Sequence, residues 1–360
     1  MDVIKFILNL ILLFLSYLNI WRANKKNIIK GNYFIIKNLD SLVDPRSIKF
    51  ASIHKNNLSN KINFVRSVSF KLSFKAIFSL KNIFIINALH DVIFYKNKIF
   101  NRGLSKTRKD YLNQTFSIIK SSKIKEFSMI DDYRLMNLFL PIFKRLKIKS
   151  YGYMHGRISS NLKFQKNLKR YKFDKYFVWN EYFKKKILDI NKNYKENEII
   201  IKNPLKKYEI QSIIKKKGLI IIEEDNVTLS VYKKIIYILK KQKKFEVYFK
   251  FRPNNEINSE LFQFLKKNNI KCYHKENIYK IFPKLKIKIL VAFNSSLLIE
   301  CSYYNIIPLM ILSNKSSLIE FINDNVVFYS KIRNILKFVM NSDNLNKSLL
   351  NKKKKIWGKS

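Results

Sequence analysis

The chain has 360 residues, of which 47% are apolar and 14% aromatic. This is enough apolar sequence for two folded domains and excludes a globally disordered chain. Lysine and arginine number 72 against 25 acidic residues, which gives a formal net charge of +47. Because the excess is mostly lysine spread over nearly every segment, it favours compositional bias first, a basic face toward anionic lipid second and nucleic acid last. No specific nucleic-acid partner is therefore predicted.

The first apolar run bears on membrane association. Val3–Trp21 is almost continuously apolar, although Lys5 interrupts it, and no small-residue cleavage site follows, so a cleaved signal peptide is not predicted. A run of about 19 residues suits a membrane anchor, a helix in the membrane interface or a buried first helix. If the run is anchored in the membrane, the basic residues after it leave the body of the protein on the cytoplasmic side of the inner membrane, next to an anionic membrane surface. They are Arg22, Lys25, Lys26 and Lys30.

Short apolar runs then alternate with helical periods, which predicts a parallel sheet covered on both faces. Strands are predicted at Tyr33–Ile36, Asn82–Leu89, Glu126–Ile130, Ser150–Met154 and Tyr176–Trp179, with helices at Leu104–Lys120 and Arg134–Leu146.

A second alternating unit follows a lysine-rich connection that starts after Asn203-Pro204. Its strands are predicted at Gly218–Ile222, Glu246–Phe251, Ile270–Tyr273, Ile287–Phe293 and Ile307–Leu312, and its helices at Thr228–Lys241, Glu256–Lys267, Ile278–Leu285, Ser296–Tyr304 and Ile332–Met340. The predicted class is α/β, with two Rossmann-like parallel-sheet domains facing a cleft. The predicted divisions are 1–24 (apolar helix), 25–205, 206–345 and 346–360, the last a solvated basic tail.

Open parallel sheets bind ligands at the carboxyl ends of their strands, so polar residues directly after strands are candidate site residues. The segment Tyr151–Arg157 ends a strand in His155-Gly156. Histidine titrates near neutrality, which suits a general base or a phosphate partner. The alternative is a hydrogen-bonded histidine in a turn. Asp131 and Asp132 end the preceding strand, where they are either alternative bases or cap a helix.

In the second unit, Val247–Asn254 ends a strand in Arg252-Pro253. A guanidinium offers a planar fork of donors to phosphate oxygens, and Lys250 adds charge nearby. The alternative is an ordinary surface arginine.

Further along, a strand runs into Asn294, Ser295 and Ser296 at the start of a helix. Such a start offers backbone N–H groups and hydroxyls to an anion, and Glu300 lies where it can accept hydrogen bonds from a ribose. The alternative is an ordinary helix cap with Glu300 paired locally.

Two kinds of metal signature are missing from the sequence. Cys272 and Cys301 form no CxxC pattern, and no HExxH or D-x-D triplet occurs. No metal or cofactor is therefore predicted, and two cysteines in a chain of this length fit a reducing compartment.

The order of strand, Asn-Ser-Ser, helix with Glu300 and then a strand led by Pro308 resembles GT-B glycosyltransferases of bacterial surface polysaccharide synthesis. The resemblance is to the group of sialyl- and polysialyltransferases and CDP-glycerol glycerophosphotransferases, and it spans residues 124–312. YGYMHGR is similar to their Q-H-G element, with Met154 in place of Gln, and IIKNPLKK to their G-N-P element, with Lys202 in place of Gly. Asn254 stands where their His-Pro or R-P-H-P element has its histidine, which leaves the type of donor open.

The resemblance implies an enzyme that transfers a sugar from a nucleotide-sugar donor to a glycan or lipid-linked acceptor. The N-terminal domain would bind the acceptor and the C-terminal domain the donor nucleotide. His155 is the first candidate for the base, followed by Asp131 and Asp132. The implied donor residues are Lys250, Arg252, Pro253, Asn294, Ser295, Ser296 and Glu300, and those on the acceptor side are Gly156, Arg157 and Asn203. The alternatives are a CDP-polyol phosphotransferase of teichoic-acid type and a non-catalytic basic protein that binds membrane or nucleic acid.

Overall fold

The computed structural model describes residues 7, 9–11, 13–15, 17–18, 33–38, 63–67, 83–85, 89, 92–94, 96, 104–121, 126–131, 133–154, 166, 168–203, 205, 217–224, 227–253, 256–312 and 319–358. The chain divides into two compact units. The first comprises residues 1–155, 161–179 and 186–204, and the second comprises residues 156–160, 180–185 and 205–360.

The first unit is built on a seven-stranded sheet whose strands all run parallel, in the order β3-β2-β1-β4-β5-β6-β7. The strands are β1 (Tyr33–Asn38), β2 (Asn63–Ser67), β3 (Ile83–Ile85), β4 (Glu126–Ile130), β5 (Lys149–Tyr153), β6 (Lys175–Val178) and β7 (Ile199–Ile201). The longer helices among its described residues are α1 (Leu104–Ser121), α2 (Tyr133–Leu146) and α3 (Glu181–Ile190), and the first turn of α3 belongs to the second unit.

Aromatic rings fill the core of the first unit where α2 covers β4. The ring centroids of Phe127 and Phe143 lie 4.3 Å apart, and Phe139 lies 5.7 Å from each of them. On β5, Gly152 is required by packing, because a Cβ atom there would lie 2.3 Å from the buried ring of Phe173. The ring therefore lies directly against the strand backbone.

The second unit has a six-stranded parallel sheet in the order β10-β9-β8-β11-β12-β13. Its strands are β8 (Gly218–Ile222), β9 (Glu246–Lys250), β10 (Lys271–Tyr273), β11 (Ile287–Ala292), β12 (Ile307–Ile311) and β13 (Phe328–Ser330). Its helices are α4 (Leu229–Lys240), α5 (Ser259–Lys267), α6 (Ile278–Lys284), α7 (Leu297–Tyr303), α8 (Ile319–Asn323), α9 (Ile335–Met340) and α10 (Asn346–Trp357).

Strand order in the second sheet is that of a Rossmann domain, with the chain leaving β8 first to one side and later to the other. The inner strands β8 and β12 are buried at every residue, as expected for parallel strands covered on both faces. The switch point of the sheet therefore lies between β8 and β11.

Most predicted elements are present, and β4 and β8 match to the residue. The strand β2 was not predicted, because its sequence NFVRS contains no apolar run. The strand β7, with the sequence III, was not among the predicted strands either. These strands lie inside and at one edge of the first sheet, so they complete it without changing its class.

The predicted solvated tail is wrong. Residues 346–357 form α10, in which Leu349 and Ile356 are buried. The indole Nε1 of Trp357 donates to the hydroxyl of Ser302 at 3.0 Å, and its ring packs on Tyr303, so α10 is attached to α7. The spacing of Leu349 and Ile356, two helical turns, is the amphipathic signal that the lysine run obscured.

The described residues between positions 7 and 18 are helical, with Leu13 buried and several neighbours exposed. Across the described part of the chain, no helix combines the length and hydropathy needed to cross a bilayer.

Candidate functional site

The carboxyl edge of the second sheet gathers polar residues from three adjacent strands. Glu223 and Glu224 follow β8, Arg252 follows β9, and Asn294 and Ser295 follow the end of β11. Since β8 lies between β9 and β11, the ends of the two outer strands are two interstrand spacings apart, about 10 Å. The residues predicted at separate motifs therefore meet at the switch point.

Glu223 connects the ends of β8 and β9. Its carboxylate Oε2 accepts a hydrogen bond from the backbone N–H of Arg252 at 2.8 Å. Its own N–H donates to the carbonyl of Lys250 at 2.9 Å, which continues the strand pairing. The main chain at Arg252 is thus anchored, and the half-buried arginine side chain extends from a fixed Cα atom.

Glu224 makes the corresponding connection to β11. Its Oε1 accepts from the backbone N–H groups of Phe293 and Asn294, both at 2.7 Å. Its own N–H donates to the hydroxyl oxygen of Tyr232 at 2.7 Å, and burial raises the pKa of that tyrosine. The glutamate pair, Glu223 and Glu224, therefore connects the ends of β8, β9 and β11. The predicted ligand-binding residues of this unit follow β9 and β11.

The start of α7 is held by its own side chains. The Ser295 hydroxyl oxygen accepts from the N–H of Leu297 at 3.2 Å, and the Ser296 hydroxyl donates to Glu300 Oε1 at 2.8 Å. Glu300 is only 3% exposed, and its Oε2 accepts from the hydroxyl of Tyr279 on α6. This is the local pairing that the sequence left open as the alternative to a ribose contact. In this arrangement Glu300 fixes the orientation of the Ser296 hydroxyl.

Lys250 was expected to add charge toward a phosphate, but its side chain is buried, at 4% exposure. Its Nζ donates to the carbonyls of Phe251, at 2.8 Å, and of His274. Burial lowers the pKa of Lys250 to about 8, against the opposing effect of Glu276 and Glu223. The ammonium therefore joins the ends of β9 and β10, and Pro253 is exposed in the turn that follows β9.

In the first unit, Asp131 follows β4 and is 4% exposed. One of its carboxylate oxygens, Oδ2, accepts from the buried hydroxyl of Tyr176 at 2.6 Å, and its N–H donates to the carbonyl of Tyr153. Asn203 is half-buried beyond β7. The remaining candidates of this group lie outside the described residues: Asp132, His155, Gly156 and Arg157.

The glutamate pair was missed by the sequence analysis. Glu223 and Glu224 follow β8 directly, but none of the predicted site residues lies after this strand. The carboxyl-edge rule alone would have selected them. Tyr279, the partner of Glu300, carries no comparable sequence signal, because its contact joins two helices.

Two further features bear on the site. Within the described residues, no group of three or more His, Cys, Asp or Glu side chains is placed to hold a metal ion. A cavity of about 380 Å³ is lined by residues at the starts of β9 and β10, including Glu246 and Lys271. It lies at the opposite edge of the sheet from Arg252.

No protein-family model matches the chain, and no curated protein matches it in sequence. Solved structures match over nearly its whole length. The S. aureus MnaA-UDP co-structure has a TM-score of 0.57 at 9% identity and covers 91% of this chain and 92% of its own. UDP-GlcNAc 2-epimerase from Neisseria meningitidis, bound to UDP-GlcNAc, has a TM-score of 0.54 at 11% identity, with 89% and 93% covered.

A lipopolysaccharide outer core galactosyltransferase, WaaB, matches with a TM-score of 0.51 at 10% identity and covers 91% of this chain and 95% of its own. At such low identity these matches establish the fold and leave the activity open. The narrower resemblance to sialyl- and polysialyltransferases stays a prediction. The chain has the GT-B fold, which glycosyltransferases share with UDP-GlcNAc 2-epimerases.

Proposed function

We propose that this protein is a glycosyltransferase that moves a sugar from a nucleotide-sugar donor to a glycan or lipid-linked acceptor in surface polysaccharide synthesis. The observation that carries the proposal is the placement of Arg252 and of Asn294–Ser296 on either side of the switch point. Open α/β sheets bind their ligands at this position.

The side chains at this edge suit a nucleoside phosphate. Arg252 supplies a forked donor for phosphate oxygens, and the Asn294 amide and the Ser295 hydroxyl supply further hydrogen bonds. Positive charge and oriented donors stabilise a departing nucleoside phosphate without requiring a metal ion. The solved structures that share the fold include proteins bound to UDP and to UDP-GlcNAc, which supports a nucleotide-sugar donor.

The acceptor and the base are proposed from the sequence. His155 is the first candidate for the general base, because in the sequence it follows β5 by two residues and a histidine side chain can accept and release a proton near neutral pH. The buried hydrogen bond from Tyr176 to Asp131 favours a structural role for that carboxylate. His155→Ala should preserve nucleotide binding and abolish transfer, and unchanged turnover would show that the base lies elsewhere.

The first test is thermal stabilisation of the full chain by CMP, UDP and GDP. One nucleotide should raise the melting temperature, since a ligand at about 100 times its Kd stabilises by about 2.7 kcal/mol. Arg252→Ala should remove most of this shift. The control is Arg333→Ala, because Arg333 is exposed and follows β13 at the far side of the same sheet. A lack of response to all three nucleotides, together with tight salt-sensitive RNA binding, would contradict the proposal.

The second candidate function is epimerisation of a UDP-sugar. The observation that favours it is that the solved structures sharing this fold include a UDP-GlcNAc 2-epimerase, from N. meningitidis, bound to UDP-GlcNAc. An epimerase needs no acceptor, so incubation with UDP-GlcNAc alone distinguishes the two. Inversion at C2 of the sugar, followed by NMR, supports the epimerase. Conversion of a nucleotide-sugar only when an acceptor is present supports the transferase.

A further inference from the structure

The helical residues near the N-terminus present apolar side chains to solvent on one side. Ile7, Leu10, Ile11 and Phe14 are 48%, 46%, 41% and 66% exposed. Their spacing of three, one and three residues places them on a single helix face. We call these four residues the N-terminal apolar face.

This exposure is concentrated, not scattered. Among the described residues, eleven large hydrophobic side chains are exposed, and five of them lie between positions 7 and 18. On another side of the same helix Leu13 is only 8% exposed, so one side packs on the protein while the apolar face does not. Contiguous exposed apolar surface of this kind marks an interaction site.

Charge identifies the partner. The first 30 residues contain one acidic side chain, Asp2, and five basic ones, which are Lys5, Arg22, Lys25, Lys26 and Lys30. The whole chain carries a formal charge of +47, so a second copy would be repelled as it approached. An anionic lipid surface offers both an apolar layer for the helix face and negative headgroups for the basic residues.

We propose that the N-terminal apolar face inserts into the interface of an anionic bilayer, with the helix parallel to the membrane and Phe14 reaching deepest. The proposal does not depend on the transferase activity. It concerns the surface on which the protein works, and a lipid-linked acceptor would be presented there.

The test is co-sedimentation of the full chain with vesicles of phosphatidylcholine containing about 30% phosphatidylglycerol, compared with phosphatidylcholine alone. The wild-type chain should bind the anionic vesicles, lose affinity in high salt and bind the neutral vesicles weakly. Leu10→Ser combined with Phe14→Ser should weaken binding by at least about tenfold, because each side chain contributes through burial in the interface. The control is Leu350→Ser, since Leu350 is 52% exposed on α10 in the other unit.

Three results would overturn the proposal: wild-type affinity in the double variant, equal binding to neutral and anionic vesicles, or a dimer in solution that the double variant dissociates. A second variant guards against misfolding of the first. Phe14→Trp keeps a large apolar side chain, and its added fluorescence should shift to the blue with anionic vesicles. An unshifted emission from a folded Phe14→Trp chain would also contradict insertion.

Discussion

The glutamate pair should stabilise the second unit in proportion to the backbone donors that each carboxylate holds. Glu224 accepts from two N–H groups at 2.7 Å, and Glu223 accepts from one at 2.8 Å. A hydrogen bond to a charged group contributes about 1.5–3 kcal/mol. Both residues are half-buried, so water replaces part of each contact and the lower end of that range applies.

Glu224→Ala is therefore expected to lower the free energy of unfolding by about 3 kcal/mol, and Glu223→Ala by about 1.5 kcal/mol. Glu224→Gln keeps an oxygen acceptor but loses the charge, so its cost should be about half that of the alanine variant. For a unit of this size, about 3 kcal/mol corresponds to a fall of roughly 6–12 °C in Tm.

Differential scanning calorimetry is the appropriate measurement, because the two units need not unfold in one transition. Glu256→Ala is the matched control, since Glu256 is exposed beyond the same sheet edge, and it should change stability by less than about 0.5 kcal/mol. If Glu224→Ala is no more destabilising than Glu256→Ala, the carboxylate does not hold the strand ends. If Glu223→Ala costs more than Glu224→Ala, counting backbone donors is the wrong basis for the estimate.

Three further outcomes are expected. Ile356→Ala should cost about 2–5 kcal/mol through a cavity beneath α10, whereas Lys355→Ala on the exposed side of that helix should be nearly neutral in urea titrations. Burial raises the pKa of Tyr176 above 10.0 in the folded state, so stability falls as pH rises above about 10, and Tyr176→Phe should reduce that fall. Lys250 has a folded pKa of about 8 against 10.5, so the unfolded chain holds more protons between these values and stability rises with pH there. Lys250→Met should reduce that rise in unfolding free energies measured from pH 8 to 10, and an unchanged slope would show that the amine is not buried.

Much of the candidate site was accessible from the sequence because strand ends are local features. The apolar run of β11 predicts a strand, and Asn294 and Ser295 directly after it predict polar ligand contacts at the carboxyl edge of the sheet. The same applies to β9 and Arg252. What those segments do not reveal is their neighbour in the sheet, and this decides whether two motifs share a site.

The sequence also did not show in which direction a side chain points. Lys250 and Glu300 were both assigned to the ligand from their positions along the chain. Their side chains instead contact the carbonyls of Phe251 and His274 and the hydroxyls of Ser296 and Tyr279. A buried charged group must find such partners, and which partners are within reach depends on helices and strands distant in sequence.

By itself, the sequence determined the α/β class, the alternation of strands and helices in two units and the polar residues that follow β9 and β11, because periodicity records burial locally. Only the tertiary structure decided the strand order that places β8 between them. That order brings Glu224 to Phe293, 69 residues away in the chain. Contacts of Trp357 with Ser302 and Tyr303 likewise attach α10 to the second unit. The physical reason is that hydrogen bonds and packing between distant segments depend on topology, and topology leaves no periodic trace in the residues that it brings together.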